Sequence, residues 1–464
     1  MMRILFVVYD DESYIHTFPA GIAYIASALR KEGYDVTIYN QDVHHYPEEH
    51  LTDYLNNNDF DVIGVGVIGG YFQYAKLLKI SNAIQKARNR PSYYILGGHG
   101  PSPEPEYFLN KMNADIVVIG EGEETIVELI HTISNKKSYH AVKGIAYREG
   151  DTVSVNPRRD LIQDIDSISW PAYDLLPMEY YRLLPFPHST KTDFTMSVLT
   201  ARGCTFACNF CYRMDKGYRI RNPEAITEEI KYLQKEYRIT YIDFSDELLM
   251  SSKARVVELC EAFIKSKLNI KWYCNGRLNY AVPDILKLMR ETGCVYINYG
   301  IEAFDDDILR NMNKALTTAQ ITRGIEATLE QGISPGFNII FGNIGESKET
   351  LSKGVDFLLK FDDASELRTI RPVTPYPGSP LYYHAIEKGL LSDAEDFYEN
   401  KHVNSDLLSV NFTDMSDKEV HESLMEANIT LIENYNKKQL DRMTDVTRKL
   451  YLNKNINFRG YRQT

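Results

Sequence analysis

The sequence predicts an α/β protein: a Rossmann-like doubly wound parallel sheet, then a partial (β/α)6 barrel, then a helical C-terminal region. Three observations predict it. Apolar runs alternate with stretches of helical spacing over residues 3–134, the pattern of a parallel sheet covered on both faces. Six more such units follow between Ser197 and Arg371, enough for a short or open barrel. Residues 391–464 are polar and mostly of helical pattern. The expected divisions are a first domain at 1–135, a hairpin and linker at 136–190, the barrel at 191–390 and the helical region at 391–464.

A length of 464 residues suits two to four domains at roughly 150 residues each. The chain is 44% hydrophobic and 25% charged, a globular balance. Lys and Arg number 52 against 64 Asp and Glu, a net charge of -12, so no nucleic-acid partner is expected. No apolar run reaches the roughly 18 residues of a membrane span. Met1–Tyr9 runs into Asp10, Asp11 and Glu12 and reads as a first strand, not a signal peptide. Six cysteines, three of them clustered, point to a reducing cytoplasm instead of a disulfide framework.

Within the first domain, residues 3–9 form a strand, and Ala20–Lys31 has helical spacing closed by Gly33. Strands follow at 36–39, 62–67, 93–96 and 116–119. Ligands in such sheets bind beyond the carboxyl ends of the strands. Those ends carry Gly66, Gly69 and Gly70, then Gly97, Gly98, His99 and Gly100, then Gly120, Glu121, Gly122 and Glu123. Any one of these is an ordinary tight turn; three in register favour a binding face. None matches GxGxxG, which weakens a nicotinamide reading. Residues 142–155 read as a hairpin around Gly150-Asp151. Residues 165–190, with Pro171, Pro177, Pro185 and Pro187, read as an extended linker.

After a strand at 195–199 comes Cys204-x3-Cys208-x2-Cys211. Three thiolates within eight residues, with no fourth cysteine nearby, suit a 4Fe–4S cube with one iron left open. A zinc knuckle with a distant fourth ligand and reduced core thiols are the other readings. Cys260 and Cys294 fall in core patterns, and Cys274 ends a barrel strand.

Downstream, Asn222-Pro223 caps a helix running to Tyr237. Strands at 241–244, 271–274, 295–299, 336–341 and 367–371 alternate with helices at 251–267, 283–291, up to Gly332, and 347–360. With Phe210 before the last cysteine, this chain resembles the radical S-adenosylmethionine (SAM) superfamily. The resemblance implies a cluster on Cys204, Cys208 and Cys211. One-electron cleavage of SAM there gives methionine and a 5′-deoxyadenosyl radical. It further implies SAM contacts from Phe210, Ser245, Asp246, Glu247, Arg277, Glu302, Asn338 and Arg371. Asp246 and Glu346 also read as helix-capping or first-turn carboxylates.

Pro19-Ala20-Gly21, Leu96-Gly97-Gly98 and Ile119–Glu123 extend the resemblance, over about residues 3–390, to the cobalamin-binding subgroup. It implies that Pro19, Gly69, Gly70, Gly97, Gly98, His99, Gly120, Glu121 and Gly122 line the corrin and its nucleotide tail. The nearest approach to a D-x-H-x-x-G signature, Asp42–Pro47, follows the second strand, so His44 is not taken as a cobalt ligand. The implied reaction is methylation of an unactivated carbon, with cobalamin as methyl carrier. The substrate is a small molecule or peptide, and an external donor supplies electrons. A cyclase, ring-contraction or rearrangement enzyme is the alternative. A sensing module, or a first domain that binds no cobalamin, stays open. The resemblance places the C-terminal region over the barrel mouth.

Overall fold

The computed structural model describes residues 2–10, 17–150, 152–214 and 216–458. Asp11, Glu12, the turn residue Asp151 and the end of the basic tail, 459–464, lie outside them.

The first sheet contains β1 (Arg3–Val8), β2 (Asp35–Asn40), β3 (Val62–Gly66), β4 (Tyr93–Gly97), β5 (Ile116–Val118), β6 (Ile145–Glu149) and β7 (Thr152–Val155). Its order is β2-β1-β3-β4-β5-β6-β7. The first five strands are parallel, and β6 and β7 pair antiparallel. The hairpin assigned to the junction therefore extends the first sheet, because β6 pairs directly with β5. Strand order reverses at β1 and β3, and an open sheet of this kind offers its ligand crevice at that point. Continuous apolar runs such as Ile4–Val8 are buried, as a sheet covered on both faces requires.

The second sheet is built from β8 (Thr195–Val198), β11 (Tyr241–Phe244), β12 (Lys271–Gly276), β13 (Cys294–Glu302), β14 (Ser334–Phe341) and β15 (Arg371–Pro372). Its six strands run in the order β15-β14-β13-β12-β11-β8, all parallel. The last strand is two residues long at 371–372, not the expected 367–371. Upstream of it, Arg368 is drawn away to pair with Glu366 at 2.7 Å and to reach the Pro335 carbonyl at 3.1 Å. Between β8 and the next helix lies a feature the sequence did not announce: β9 (Ala201–Cys204) and β10 (Gly217–Ile220) form a separate antiparallel pair. Its close approach needs Gly203, at φ +83°, where a Cβ would lie 2.3 Å from the Gly217 carbonyl oxygen.

The helix Pro223–Tyr237 starts where expected, and the Asn222 side chain accepts from the Glu224 N–H. Trp272, Cys260, Cys274 and Cys294 are buried in the barrel core, which places all three cysteines among packing residues. The linker is folded down: Tyr181 donates to Asp42 at 3.1 Å and Tyr173 to Glu229 at 2.7 Å.

The C-terminal region divides. Tyr382, Phe397 and Tyr398 pack into the core of the first domain, and Tyr398 stacks on Tyr74 with centroids 4.7 Å apart. A 36-residue helix, Asp417–Leu452, buries Val420, Leu424, Ala427 and Leu431 against the barrel core. A segment before that helix comes to the barrel's carboxyl end, where Arg371 pairs with Asp406 at 3.0 Å. Apolar side chains on either side of that segment are committed to the two cores.

Candidate active site between the two sheets

One cavity of about 550 Å³ lies between the sheets. Its first wall is the carboxyl edge of the first sheet: Val8, Pro19, Gly66, Gly97, Gly98, His99, Gly120, Glu121 and Gly122 line it. Its second wall comes from the barrel side: Ala201, Arg202, Gly203, Arg219, Ser245 and Glu247. The cavity opens at the β1/β3 reversal, where the topology places a ligand. Gly98 has φ +104°, and a Cβ there would lie 2.6 Å from the Val67 carbonyl oxygen. The His99 imidazole is kept neutral by burial, its pKa pushed below the ordinary value, and its ring stands edge-on to Tyr212.

Gly69 and Gly70, expected on this face, are not on the cavity wall. A Cβ at Gly69 would lie 3.3 Å from the Tyr398 hydroxyl, so this backbone is closed over by the C-terminal region. Gly70 instead caps the helix Tyr71–Lys86. Gly21, in contrast, lines the cavity, and a Cβ there meets nothing within 4 Å. Gly21→Leu should therefore fill the cavity without harming the helix, since leucine is the better helix former. The expected result is an unchanged unfolding midpoint with at least about tenfold weaker cobalamin binding, read by equilibrium dialysis.

Cys204 ends β9, and Cys208 and Cys211 sit in the loop between β9 and β10, which neighbouring segments hold in place. Asn209 donates its N–H to the Met312 carbonyl at 3.0 Å and exchanges side-chain bonds with Asn343. Asn313 reaches the Ala207 carbonyl at 2.8 Å. Cys208 is buried, Cys204 half-buried and Cys211 exposed. A hydrogen bond from Cys211 pushes the Cys208 thiol below its ordinary value, aided by the charges of Lys314 and Arg277. The same bond pushes Cys211 up.

Arg277 is buried with its guanidinium 3.3 Å from the centre of the Phe206 ring and donates to the Lys314 carbonyl. Lys314 pairs with Glu302 at 2.7 Å, both nearly buried. Glu302 holds φ +69°, at a register shift near the end of β13. A left-handed non-glycine residue costs about 1–3 kcal/mol, and here it aims the carboxylate at Lys314. The Lys314 ammonium also lies 5.8 Å from the Phe210 ring centre.

Ser245, Asp246 and Glu247 separate by face. Ser245 and Glu247 line the cavity, whereas Asp246 is 1% exposed. The Asp246 carboxylate accepts the N–H of Thr200 at 2.6 Å, that of Ala201 at 3.0 Å, and the Thr200 hydroxyl. Burial pushes its pKa up to about 6. Asp246 thereby holds the turn that enters the cysteine hairpin, with three hydrogen bonds on its carboxylate. Arg371 pairs with Asp406 on the surface. Glu346 is buried and accepts the N–H of Gly342 and Asn343 at 2.7 and 2.8 Å, which fixes the loop after β14.

An asparagine chain crosses the barrel strands. Asn338 donates to Asn298 at 3.0 Å, Asn298 to Asn275 at 3.0 Å, and Asn275 to the Asp246 carbonyl at 2.8 Å. Asn298 was not singled out from sequence. Its register opposite Asn275 is visible only once the strands are paired.

Fold and site define an α/β enzyme in which a glycine-edged sheet faces a thiol-bearing barrel loop. The B12 binding domain family matches residues 8–130 and the radical SAM superfamily matches residues 198–358. An uncharacterized methyltransferase of Pyrococcus horikoshii is 30% identical over 402 residues, covering 84% of each chain. The anaerobic magnesium-protoporphyrin IX monomethyl ester cyclase of Rubrivivax gelatinosus is 27% identical, over 82% of this chain and 68% of its own length. The structure of the radical SAM methyltransferase TsrM from Kitasatospora setae, with cobalamin and a [4Fe-4S] cluster bound, superposes with a TM-score of 0.72 at 17% identity, over 94% of this chain and 89% of that one. The chain belongs to the radical SAM superfamily, in the group that carries a B12-binding domain.

The cofactors of that group are a 4Fe–4S cluster, SAM and cobalamin. The residues present fit them. Among the described residues no three His, Cys, Asp or Glu side chains converge as a ready metal-binding group; Cys208 and Cys211 share a hydrogen bond beside two buried cations, and with Cys204 on the same hairpin they supply the soft donor chemistry that an iron–sulfur cluster uses. The glycine-edged cleft has apolar walls including Phe18, Ile22, Leu96 and Val118, as a large organic cofactor requires. Among the described residues, no helix is long and apolar enough to cross a membrane.

Proposed function

We propose that this protein methylates an unactivated carbon of a small-molecule substrate bound between the two sheets. The observation that carries this reading is the shared cavity. Gly97–His99 and Gly120–Gly122 form one wall, and Ser245 and Glu247 lie on the other. A carbon held there would lie between the glycine edge of the first sheet and the barrel loop that carries Ser245 and Glu247, which is the orientation such a transfer needs from the protein. When bound, the cluster supplies the electron for SAM cleavage and cobalamin carries the methyl group.

In this reading Cys204, Cys208 and Cys211 hold the cluster. Lys314 and Arg277 balance its negative charge. Ser245, Glu247 and the asparagine chain through Asn338 offer polar groups to SAM. Pro19, Gly97, Gly98, His99, Gly120 and Gly122 shape the cobalamin cleft. Glu302 sets Lys314 in place. Ile68 lines the cavity and is 64% exposed, so the substrate surface there is apolar. Electrons come from an external donor, and thiol ligands of this kind suit a reducing compartment.

The test is anaerobic turnover of the reconstituted protein, with and without cobalamin, scoring 5′-deoxyadenosine and S-adenosylhomocysteine. Methyl transfer gives both, the second only with cobalamin. Deoxyadenosine without S-adenosylhomocysteine, in the presence of cobalamin and a converted substrate, would replace methylation by a cyclase-type or rearrangement reaction, in keeping with the cyclase relative.

A further inference from the structure

The long helix Asp417–Leu452 has two apolar faces, and among the described residues only one is covered. Val420, Leu424, Ala427 and Leu431 are buried against the barrel. Opposite them run Met425, Ile429, Ile432, Leu440 and Met443, exposed by 54%, 47%, 38%, 64% and 50%. At about 100° per residue these side chains share one stripe with Asn436 and Thr447. A monomer rarely leaves such a stripe in water.

The spacing of the stripe identifies its occupant. Read outward from Asn436, side chains stand four, seven and eleven positions away in both directions: Ile432 and Leu440, Ile429 and Met443, Met425 and Thr447. The pattern reads the same forwards and backwards. An antiparallel copy of the same helix centred on Asn436 therefore sets Ile432 against Leu440, Ile429 against Met443, and Asn436 against itself. The contact runs over about 33 Å at 1.5 Å per residue.

Charge follows the same symmetry. Residues 417–434 carry five acids and one lysine, and residues 435–452 carry five bases and two acids. Glu422, Glu426 and Glu433 lie along one flank of the stripe, as do Lys437 and Arg448 on the same side. In the antiparallel register Arg448 of one helix falls between Glu422 and Glu426 of the other, and Lys437 falls beside Glu433. A parallel copy would set the two acidic halves, and the two basic halves, side by side. Glu426, Glu433, Lys437 and Arg448 make no ion pair among the described residues.

We propose that this face binds a second copy of the chain, giving a two-fold symmetric dimer through antiparallel packing of the Asp417–Leu452 helices. Such a contact is isologous and closes on itself. The apolar stripe supplies affinity, the charges fix direction, and Asn436 at the axis favours one register over slipped ones.

Sedimentation equilibrium of the full-length protein tests this. The unaltered chain should associate reversibly to a dimer between about 1 and 100 µM. Ile432→Asp should weaken association by about a hundredfold, since the side chain falls near the centre of the contact. Glu422→Lys with Glu426→Lys should weaken it by about tenfold, and so should Arg448→Glu alone. All three together should restore it. These positions are exposed, so helix content and unfolding midpoint serve as controls for folding. A chain that stays monomeric throughout this range, or a dimer indifferent to Ile432→Asp, would overturn the proposal. Failure of the charge exchange to restore association would overturn the antiparallel register.

Discussion

Replacing Cys208 by serine is expected to abolish cluster assembly, and SAM cleavage with it, while the chain still folds. Cys208 is the most buried of the three clustered cysteines, at 7% exposure. It is also the thiol whose anion its surroundings favour: the Cys211 hydrogen bond comes first, and the Lys314 and Arg277 charges add to it. A serine hydroxyl is a harder donor, far less acidic, and bonds iron poorly. The replacement removes no carbon and leaves the Asn209 and Asn313 bonds of the loop untouched, so stability should change by less than about 1 kcal/mol. Iron and acid-labile sulfide per chain, with the visible charge-transfer absorption, are the direct readouts. Cys274→Ser is the matched control. Cys274 is 0% exposed in the barrel core, so serine there buries a hydroxyl and should cost about 1–3 kcal/mol, yet the iron content should hold. Full iron in the Cys208 variant would remove that residue from the ligand set.

How far the site could be read in advance depended on whether a residue's role is local. The cysteine spacing is local, and so is the glycine content of the strand ends; both were visible. The face on which a side chain lies is also local in a strand, where neighbours alternate. Ser245-Asp246-Glu247 lie beyond the end of β11, where that alternation no longer holds, and the structure puts Asp246 under the hairpin and the other two in the cavity. Pairing across strands is not local. The Asn275–Asn298–Asn338 chain depends on register, and the β9–β10 hairpin depends on Gly203 and Gly217 meeting across a thirteen-residue gap. The closure of Gly69 by Tyr398 joins positions more than three hundred residues apart. No periodicity carries such a contact.

Glu121 shows the same limit with the larger consequence for stability. Its sequence setting, between two glycines at a strand end, marks it for the cofactor. In the structure its carboxylate accepts from Arg202 at 2.9 Å, from Arg219 at 2.8 Å and from the Ile162 N–H at 3.0 Å. Arg202 also reaches Glu123 at 2.5 Å. Burial alone would push the Glu121 carboxyl up, but the two guanidinium bonds more than offset it and hold it below its ordinary value. Its contribution is therefore present at neutral pH and is lost as acid carries pH down through the carboxylate range. Both arginines sit on the hairpin that carries Cys204, so this network ties the cofactor wall to the cluster wall. Glu121→Ala leaves two nearly buried guanidiniums without their shared partner, and breaking a buried pair in this way costs about 3–5 kcal/mol. We expect a clear fall in the unfolding midpoint of the cofactor-free protein, together with weaker cobalamin binding. Glu121→Gln keeps one acceptor and should lose less. The paired variant Glu121→Ala with Arg219→Met should recover part of the loss, because one stranded charge is gone. A residue that merely touched cobalamin would behave differently: binding would weaken while the cofactor-free protein unfolded at its original midpoint. Measuring both quantities on the same three variants decides whether Glu121 acts as a ligand contact or as the brace that sets the spacing of the two walls, and the distances favour the brace.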